Sequence, residues 1–288
     1  MFGGIGSPRC ALRNMGVPVK SIDYVEIDEK AVRSYNAMFA NELPYGAQSV
    51  VGWSLKPDIL IHGSPCQDFS IAGHQGRQKA EDGRVNHGKG ADKGSGTRSS
   101  LMWETINIIR QMGEWKPRIV IWENVKNVRS RYMRHNARDY GLPQARQRYF
   151  TVSILNGTPF DFSRMQKKPM ENIHEYLDNS VDDWYTITAP SILDCIGKRG
   201  VVRRMPIIDT FCYTLTERPD RTPGSGCLDI GNGKYRYLTE RECWRLQGYS
   251  DEDFEAAARV NTRRTLYKQA GNSIPVPIFE SMFDVMLA

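Results

Sequence analysis

Residues 58 to 67 read Asp58-Ile59-Leu60-Ile61-His62-Gly63-Ser64-Pro65-Cys66-Gln67. A short apolar, β-branched run closed by glycine, serine and proline has the pattern of a buried strand ending in a turn. Cys66 is thereby placed at the carboxyl end of a sheet, where ligands of open α/β folds bind. Three more runs share this character: Ser21 to Ile27, Arg118 to Trp122 and Arg148 to Ile154. Helical patterns separate them. Ser7 followed by Pro8 reads as an N-cap with proline in the first turn, and Asp28 caps a second helix reaching about Met38. Leu101, Thr105, Ile108, Ile109 and Met112 keep to one face of a third, which Gly113 stops. Strands alternating with helices predict an α/β fold with a mostly parallel sheet.

The alternation fades after residue 155, and proline, glycine and short β-like pieces dominate from about Asn156 to Lys234. The expected organisation is a large domain over 1–155, a smaller one over 156–268, and a final segment, 269–288, that returns to the first. Between Gly73 and Gly96 seven glycines occur without apolar periodicity, so this stretch reads as a long loop directly after the cysteine turn. A net charge of +6 and a pI near 9.0 fit a polyanionic partner. The six cysteines are scattered without a C-x-x-C pair, so neither a zinc site nor a disulfide framework is expected. No run of about 18 apolar residues is present to span a bilayer. The amino terminus lacks the pattern of an export signal, so the expected location is cytoplasmic.

Phe2-Gly3-Gly4-Ile5-Gly6 opens into a helix and lets backbone N–H groups approach a ligand closely. Such turns serve NAD, FAD and S-adenosyl-L-methionine alike. Glu26, at the end of the next strand and roughly 20 residues on, is placed to accept ribose hydroxyls. A nucleoside cofactor follows from the pair, its identity left open. Cys66 offers the best nucleophile among side chains, although a lone cysteine is ordinarily a small buried hydrophobe. Glu123, in Trp122-Glu123-Asn124-Val125, stands at the neighbouring strand end, where a dry crevice would raise its pKa and let it donate a proton. Gln144-Ala145-Arg146-Gln147-Arg148 sets two arginines at alternate positions, both on one face of a strand.

Taken in order, these blocks resemble the cytosine-C5-specific DNA methyltransferase family along nearly the whole chain. Further matching blocks are Thr239-Glu240-Arg241-Glu242, Arg245-Leu246-Gln247-Gly248-Tyr249 and Gln269-Ala270-Gly271-Asn272-Ser273. The resemblance implies a Rossmann-like S-adenosylmethionine-dependent methyltransferase sheet with a small target-recognition domain. It implies S-adenosyl-L-methionine as cofactor, S-adenosyl-L-homocysteine as product, and double-stranded DNA as partner, with no metal and a monomeric protein. Its cofactor residues would be Phe2, Gly3, Gly4, Gly6, Glu26, Ile27, Pro65, Asn272 and Ser273. Cys66, Glu123, Arg146 and Arg148 would carry the chemistry on a flipped-out cytosine. Arg148 would hold the O2 carbonyl and Arg146 order the pocket. Gln67, Ser70, Asn124, Gln144, Thr214 and Leu215 would line the DNA side, with Arg203, Arg204, Arg218 and Arg221 flanking the Thr214-Leu215 element. A short recognition region resembles solitary or phage-type enzymes, with or without a restriction partner.

Three departures from the family pattern stand out. Gln48-Ser49-Val50 occupies a region where the family carries an acid that contacts adenine, and the loop after Ser70 is long. The strand expected before Phe2 is missing. Finally, Lys126 to Asn136 offer too few residues for a crossover helix and a strand, so a segment of about 20 to 30 residues is expected to be absent between Asn136 and Ala137. Two rival functions share the architecture: a tRNA cytosine-C5 methyltransferase, whose Cys-Phe-Thr element Cys212-Tyr213-Thr214 approaches, and an inactive DNA-binding relative. A nicotinamide dehydrogenase would explain only the glycine turn and Glu26.

Overall fold

The computed structural model describes residues 1–18, 21–40, 43–63, 101–124, 133–198, 205–221 and 224–288. Helix α1 (Ser7–Asn14) starts directly after Gly6, whose φ of 85° turns the chain into the helix. The cap is therefore Gly6 and not Ser7, which is already helical. A Cβ at Gly6 would lie 2.7 Å from the Tyr35 ring, so close packing as well as the positive φ requires glycine there. Helix α2 (Glu29–Phe39) is capped as expected, the Asp28 carboxylate accepting from the Lys30 N–H at 3.0 Å.

Strand β1 (Ile59–Gly63), helix α3 (Met102–Gln111) and strand β2 (Ile119–Asn124) follow the sequence expectation within two residues at each end. Then come β3 (Met133–Asn136), the short β4 (Gln144–Ala145) and β5 (Gln147–Ile154). The main sheet has the order β1-β2-β5-β3. Only β1 and β2 pair in parallel, from Ile59 opposite Ile119 to Gly63 opposite Glu123, while β5 runs antiparallel to both β2 and β3. Among the described residues the sheet is thus mixed rather than mostly parallel.

One further expectation is corrected here. Ser21 to Ile27 form no strand ladder: Val25 and Glu26 each accept a single backbone bond, from Gly3 at 3.1 Å and Gln48 at 2.8 Å. A ladder needs successive extended residues, and the φ of 53° at both Phe2 and Gly4 breaks that run on one side. Met1 to Gly3 nevertheless lie beside β1, the Met1 nitrogen donating to the Ile61 carbonyl and the Gly63 N–H to the Met1 carbonyl.

Around Asn136, where a missing segment is expected, the described chain forms a strand followed by a turn. Residues 133–136 form strand β3, and Asn136 caps the 3-10 turn Ala137–Asp139 while the Ala137 N–H donates to the Arg146 carbonyl at 3.0 Å. Met133-Arg134-His135-Asn136 is polar for a strand because β3 is the sheet edge, where charged residues are the rule. The connection over 125–132 lies outside the described residues.

Beyond β5 come a short helix α4 (Pro190–Leu193), strand β6 (Cys212–Tyr213) paired in parallel with β4, and the hairpin β7 (Leu228–Gly231) and β8 (Lys234–Arg236). Ile187, Met205 and Cys227 form a small core of their own there. Helices α5 (Glu240–Arg245), α6 (Asp251–Ala258), α7 (Arg263–Asn272) and α8 (Val276–Leu287) close the chain. Thr239 and Ser250 each begin a helix with a reciprocal capping box. The last helix returns to the sheet, Phe279 meeting Phe150 edge-on at 5.7 Å, and joins Ile5, Ile121, Leu215 and Trp244 in the principal core.

Candidate active site

Pairing Gly63 with Glu123 brings the two strand ends together at the carboxyl edge of the sheet. A Cβ on Gly63 would sit 3.8 Å from Glu123 Oε2 and 3.7 Å from the Phe2 carbonyl, so this glycine is the meeting point of the glycine-rich turn and the acid. Cys66 follows three residues later. It lies outside the described residues, as do Pro65, Gln67, Ser70, Arg203 and Arg204.

Arg148 lies on the same face of the sheet as Glu123, and its Nε is 3.1 Å from Glu123 Oε1. Glu123 is buried. Burial pushes its pKa above the usual carboxylate range, and the charges of Arg148 and Arg146 oppose that shift. Asn124, in register with Tyr149, is fully buried beside it. A buried acid paired with a guanidinium at one sheet edge can hold a flat, polar heterocycle by its edge.

The second arginine is placed differently. Arg146 is fully buried and its guanidinium donates to three carbonyls: Leu215 at 2.9 Å, Gly271 at 2.6 Å and Ser273 at 2.7 Å. It joins three segments from behind. Gln144 is also buried, its amide donating to the Leu246 carbonyl and accepting from the Leu215 N–H. Leu215 packs in the core, and the Thr214 hydroxyl donates to the Ala145 carbonyl at 2.7 Å. Gln144 and Leu215 therefore build the wall of the site through its backbone connections. Thr214 is half-buried at its margin.

Beside the glycine-rich turn, the half-buried Glu26 carboxylate is set by three backbone N–H groups, from Gly4 at 3.0 Å and from Ile27 and Asp28 at 2.9 Å each. A carboxylate has about four acceptor positions, so capacity for a hydroxyl pair remains. Gly4 faces open space, Ile27 is 71% exposed, and Tyr24 donates its hydroxyl to the Gly4 carbonyl. A fixed acceptor between open backbone and apolar surface fits the sugar and base of a nucleoside. Ser273 is buried in a hydroxyl triangle with Ser7 and Tyr249, and Asn272 donates to Glu217 at 2.9 Å. Gln48 spends its amide on Asp23 and the Tyr24 carbonyl.

Sequence reasoning missed His62 and Trp122, which stack in series beneath Phe2. The available signal was a histidine inside an otherwise apolar strand. Among the described residues no cluster of three or more metal-ligating side chains occurs, and no helix is long and apolar enough to cross a membrane.

The family model described as C-5 cytosine-specific DNA methylase matches residues 1–136 and 164–288. The type II methyltransferase M2.ScrFI of Lactococcus lactis subsp. cremoris is 33% identical over 78% of this chain, a match spanning 65% of that relative's length. The type II methyltransferase M.HhaI of Haemophilus parahaemolyticus is 29% identical, covering 97% of this chain and 90% of its own. Among solved structures, the methyltransferase EhMeth of Entamoeba histolytica superposes with a TM-score of 0.73 at 21% identity, covering 99% of this chain and 96% of its own. The S. pombe Dnmt2 methyltransferase gives 0.74 at 18%, with the same coverage. Both share the fold.

Proposed function

Because the chain belongs to the C-5 cytosine-specific DNA methylase family, we propose that it methylates C5 of a cytosine flipped out of double-stranded DNA, with Cys66 as the nucleophile and S-adenosyl-L-methionine as the methyl source. The observation that carries this reading is the buried Glu123–Arg148 pair at the sheet edge, where Glu123 pairs with Gly63, the residue three before Cys66 in sequence.

Cytosine C5 is too weak a nucleophile to attack a methyl group unaided. Addition of the Cys66 thiolate at C6 moves an electron pair onto C5, and the Glu123 carboxyl, its pKa raised by burial, protonates N3 and neutralises the developing charge. Arg148 holds the O2 carbonyl and keeps Glu123 aimed. The cofactor, when bound, supplies an electrophilic methyl on a sulfonium. Phe2, Gly4, Glu26 and Ile27 would hold it. Loss of the C5 proton then returns the electron pair that expels Cys66. Residues 156–268, including Thr214, are assigned the reading of the DNA target.

The test is bisulfite sequencing of DNA from cells expressing the protein, with Cys66→Ser as control. Methylated cytosines in one short sequence context, absent with Cys66→Ser, are expected. Duplex DNA containing 5-fluorocytosine in that context should form a covalent adduct, because fluorine does not leave as a proton does. Modification of RNA in place of DNA would move the reading to the tRNA branch, and turnover by Cys66→Ser would overturn the covalent mechanism.

A further inference from the structure

Phe2 has a φ of 53°, a left-handed conformation that a bulky residue keeps only where its surroundings over-determine it. Its backbone neighbours are fixed on both sides, Met1 accepting from the Gly63 N–H and Gly3 donating to Val25. Its ring lies on the His62 imidazole, centroids 5.1 Å apart with planes at 26°. His62 in turn stacks on Trp122 at 5.5 Å and 17°. His62 and Trp122 are register partners on β1 and β2, so they share a face of the sheet. The three rings form a column from the glycine turn to the residue before Glu123.

His62 is 2% exposed, and its Nε2 has no hydrogen-bond partner among the described residues. What the described structure gives this side chain is ring packing, face-on between Phe2 and Trp122. Burial pushes its pKa down to about 3, which leaves the ring neutral. What remains is a flat, uncharged plate between two aromatic rings.

We propose that His62 is a positioning residue for the cofactor, acting through Phe2: the His62–Trp122 stack holds the Phe2 ring at the angle at which it meets the cofactor's purine. This rests on the reading of Phe2 and Glu26 as cofactor-holding residues. Without the plate, Phe2 is released from its left-handed geometry and the cofactor loses a preset apolar wall. The described ring contacts of His62 are with Phe2 and Trp122, so the chemical step at saturating cofactor is spared.

The experiment is calorimetric titration of S-adenosyl-L-homocysteine into wild type, His62→Ala, His62→Phe, Phe2→Ala and the Phe2→Ala/His62→Ala double variant, with steady-state kinetics on the same proteins. His62→Ala should weaken binding about tenfold, the scale of one aromatic contact, raising the cofactor KM while kcat stays within about twofold. His62→Phe should restore wild-type affinity, because it keeps the flat ring and needs no hydrogen-bond partner. The double variant should be no weaker than Phe2→Ala. Should His62→Ala fail to fold, Trp122→Leu, which removes the back of the stack, replaces it and should weaken binding several-fold. Wild-type affinity in His62→Ala, no rescue by His62→Phe, or additive losses in the double variant would overturn the role of His62. A wild-type protein that does not bind S-adenosyl-L-homocysteine would instead overturn the cofactor reading beneath it.

Discussion

Arg148 Nε and Glu123 Oε1 stand 3.1 Å apart across the β2–β5 pairing, with side chains only 13% and 10% exposed. A carboxyl here is pulled two ways: burial favours its protonated form, and the charges of Arg148 and Arg146 favour the ionised one. Burial wins, and the pKa is raised. If Glu123 donates its proton to the target base, the reactive fraction falls as pH rises through that raised pKa, giving an alkaline limb in kcat. Arg148→Gln removes the opposing charge, so the limb should move to higher pH while kcat drops by about 100-fold through loss of the O2 contact. Glu123→Gln should lose about 100-fold or more and show no limb from this group. A kcat–pH profile unchanged in position by Arg148→Gln would remove Glu123 as the titrating acid.

Arg146 stitches β4 and β5 to two distant segments through the Leu215, Gly271 and Ser273 carbonyls. Truncation leaves three buried acceptors without their donor, at about 1 to 3 kcal/mol each. Arg146→Ala is therefore expected to lose at least about 3 kcal/mol of unfolding free energy. Arg146→Lys, with a single ammonium in place of the planar fork, should fall between. Urea denaturation is the measurement, and a loss below about 0.5 kcal/mol for the alanine variant would show that the three bonds carry little.

Much of this site was legible because its chemistry sits at strand ends. Asp58 to His62 and Arg118 to Trp122 read as strands from their apolar, β-branched runs, and the residues that follow them, Gly63 and Glu123, are brought together by pairing. Alternation put Arg146 and Arg148 on one face but could not separate their roles, since that depends on which carbonyls the tertiary fold delivers. β3 escaped notice because an edge strand need not be apolar. The left-handed φ of Phe2 was invisible for a related reason: Phe2 is not glycine, and only its packing on His62 and the bonds of its neighbours account for the geometry.

Gly271 gives a sharp steric prediction. A Cβ there would lie 2.3 Å from the Thr216 carbonyl oxygen, 2.4 Å from its carbon and 2.7 Å from the Glu217 nitrogen, all backbone atoms that cannot rotate away. Gly271→Ala should cost about 1 to 3 kcal/mol, as overpacking does, and disturb the adjoining Asn272–Glu217 bond. Gly46→Ala meets open space without a positive φ and should stay within about 0.5 kcal/mol of wild type. Thermal melts of the two variants side by side decide it, and equal melting temperatures would mean that α7 slides away from Thr216 at no cost.

Acid stability should be governed first by buried histidines. His135 packs against Phe150 and Phe162, its Nδ1 is 2.5 Å from the Tyr140 hydroxyl, and its Nε2 has no partner among the described residues. Burial, and then the charge of Lys167, push its pKa down to about 4, with Asp139 opposing; burial takes His62 to about 3. In the unfolded chain both titrate near 6.5. The unfolded state therefore binds protons first as pH falls. Stability is complete above about pH 6.5 and is lost on acidification, by about 1.4 kcal/mol per pH unit for each histidine. Between pH 5.5 and 4.5 the two together should give a slope of about 2.8 kcal/mol per unit. Asp251, held below the usual carboxylate range by its hydrogen bonds with Arg245, contributes stability that is lost only at still lower pH. His135→Gln keeps an acceptor for Tyr140 but does not titrate, so the slope should fall by about one proton while stability at pH 7.5 changes far less. Urea unfolding at half-unit pH steps measures this, and an undiminished slope in His135→Gln would assign the acid lability to other groups.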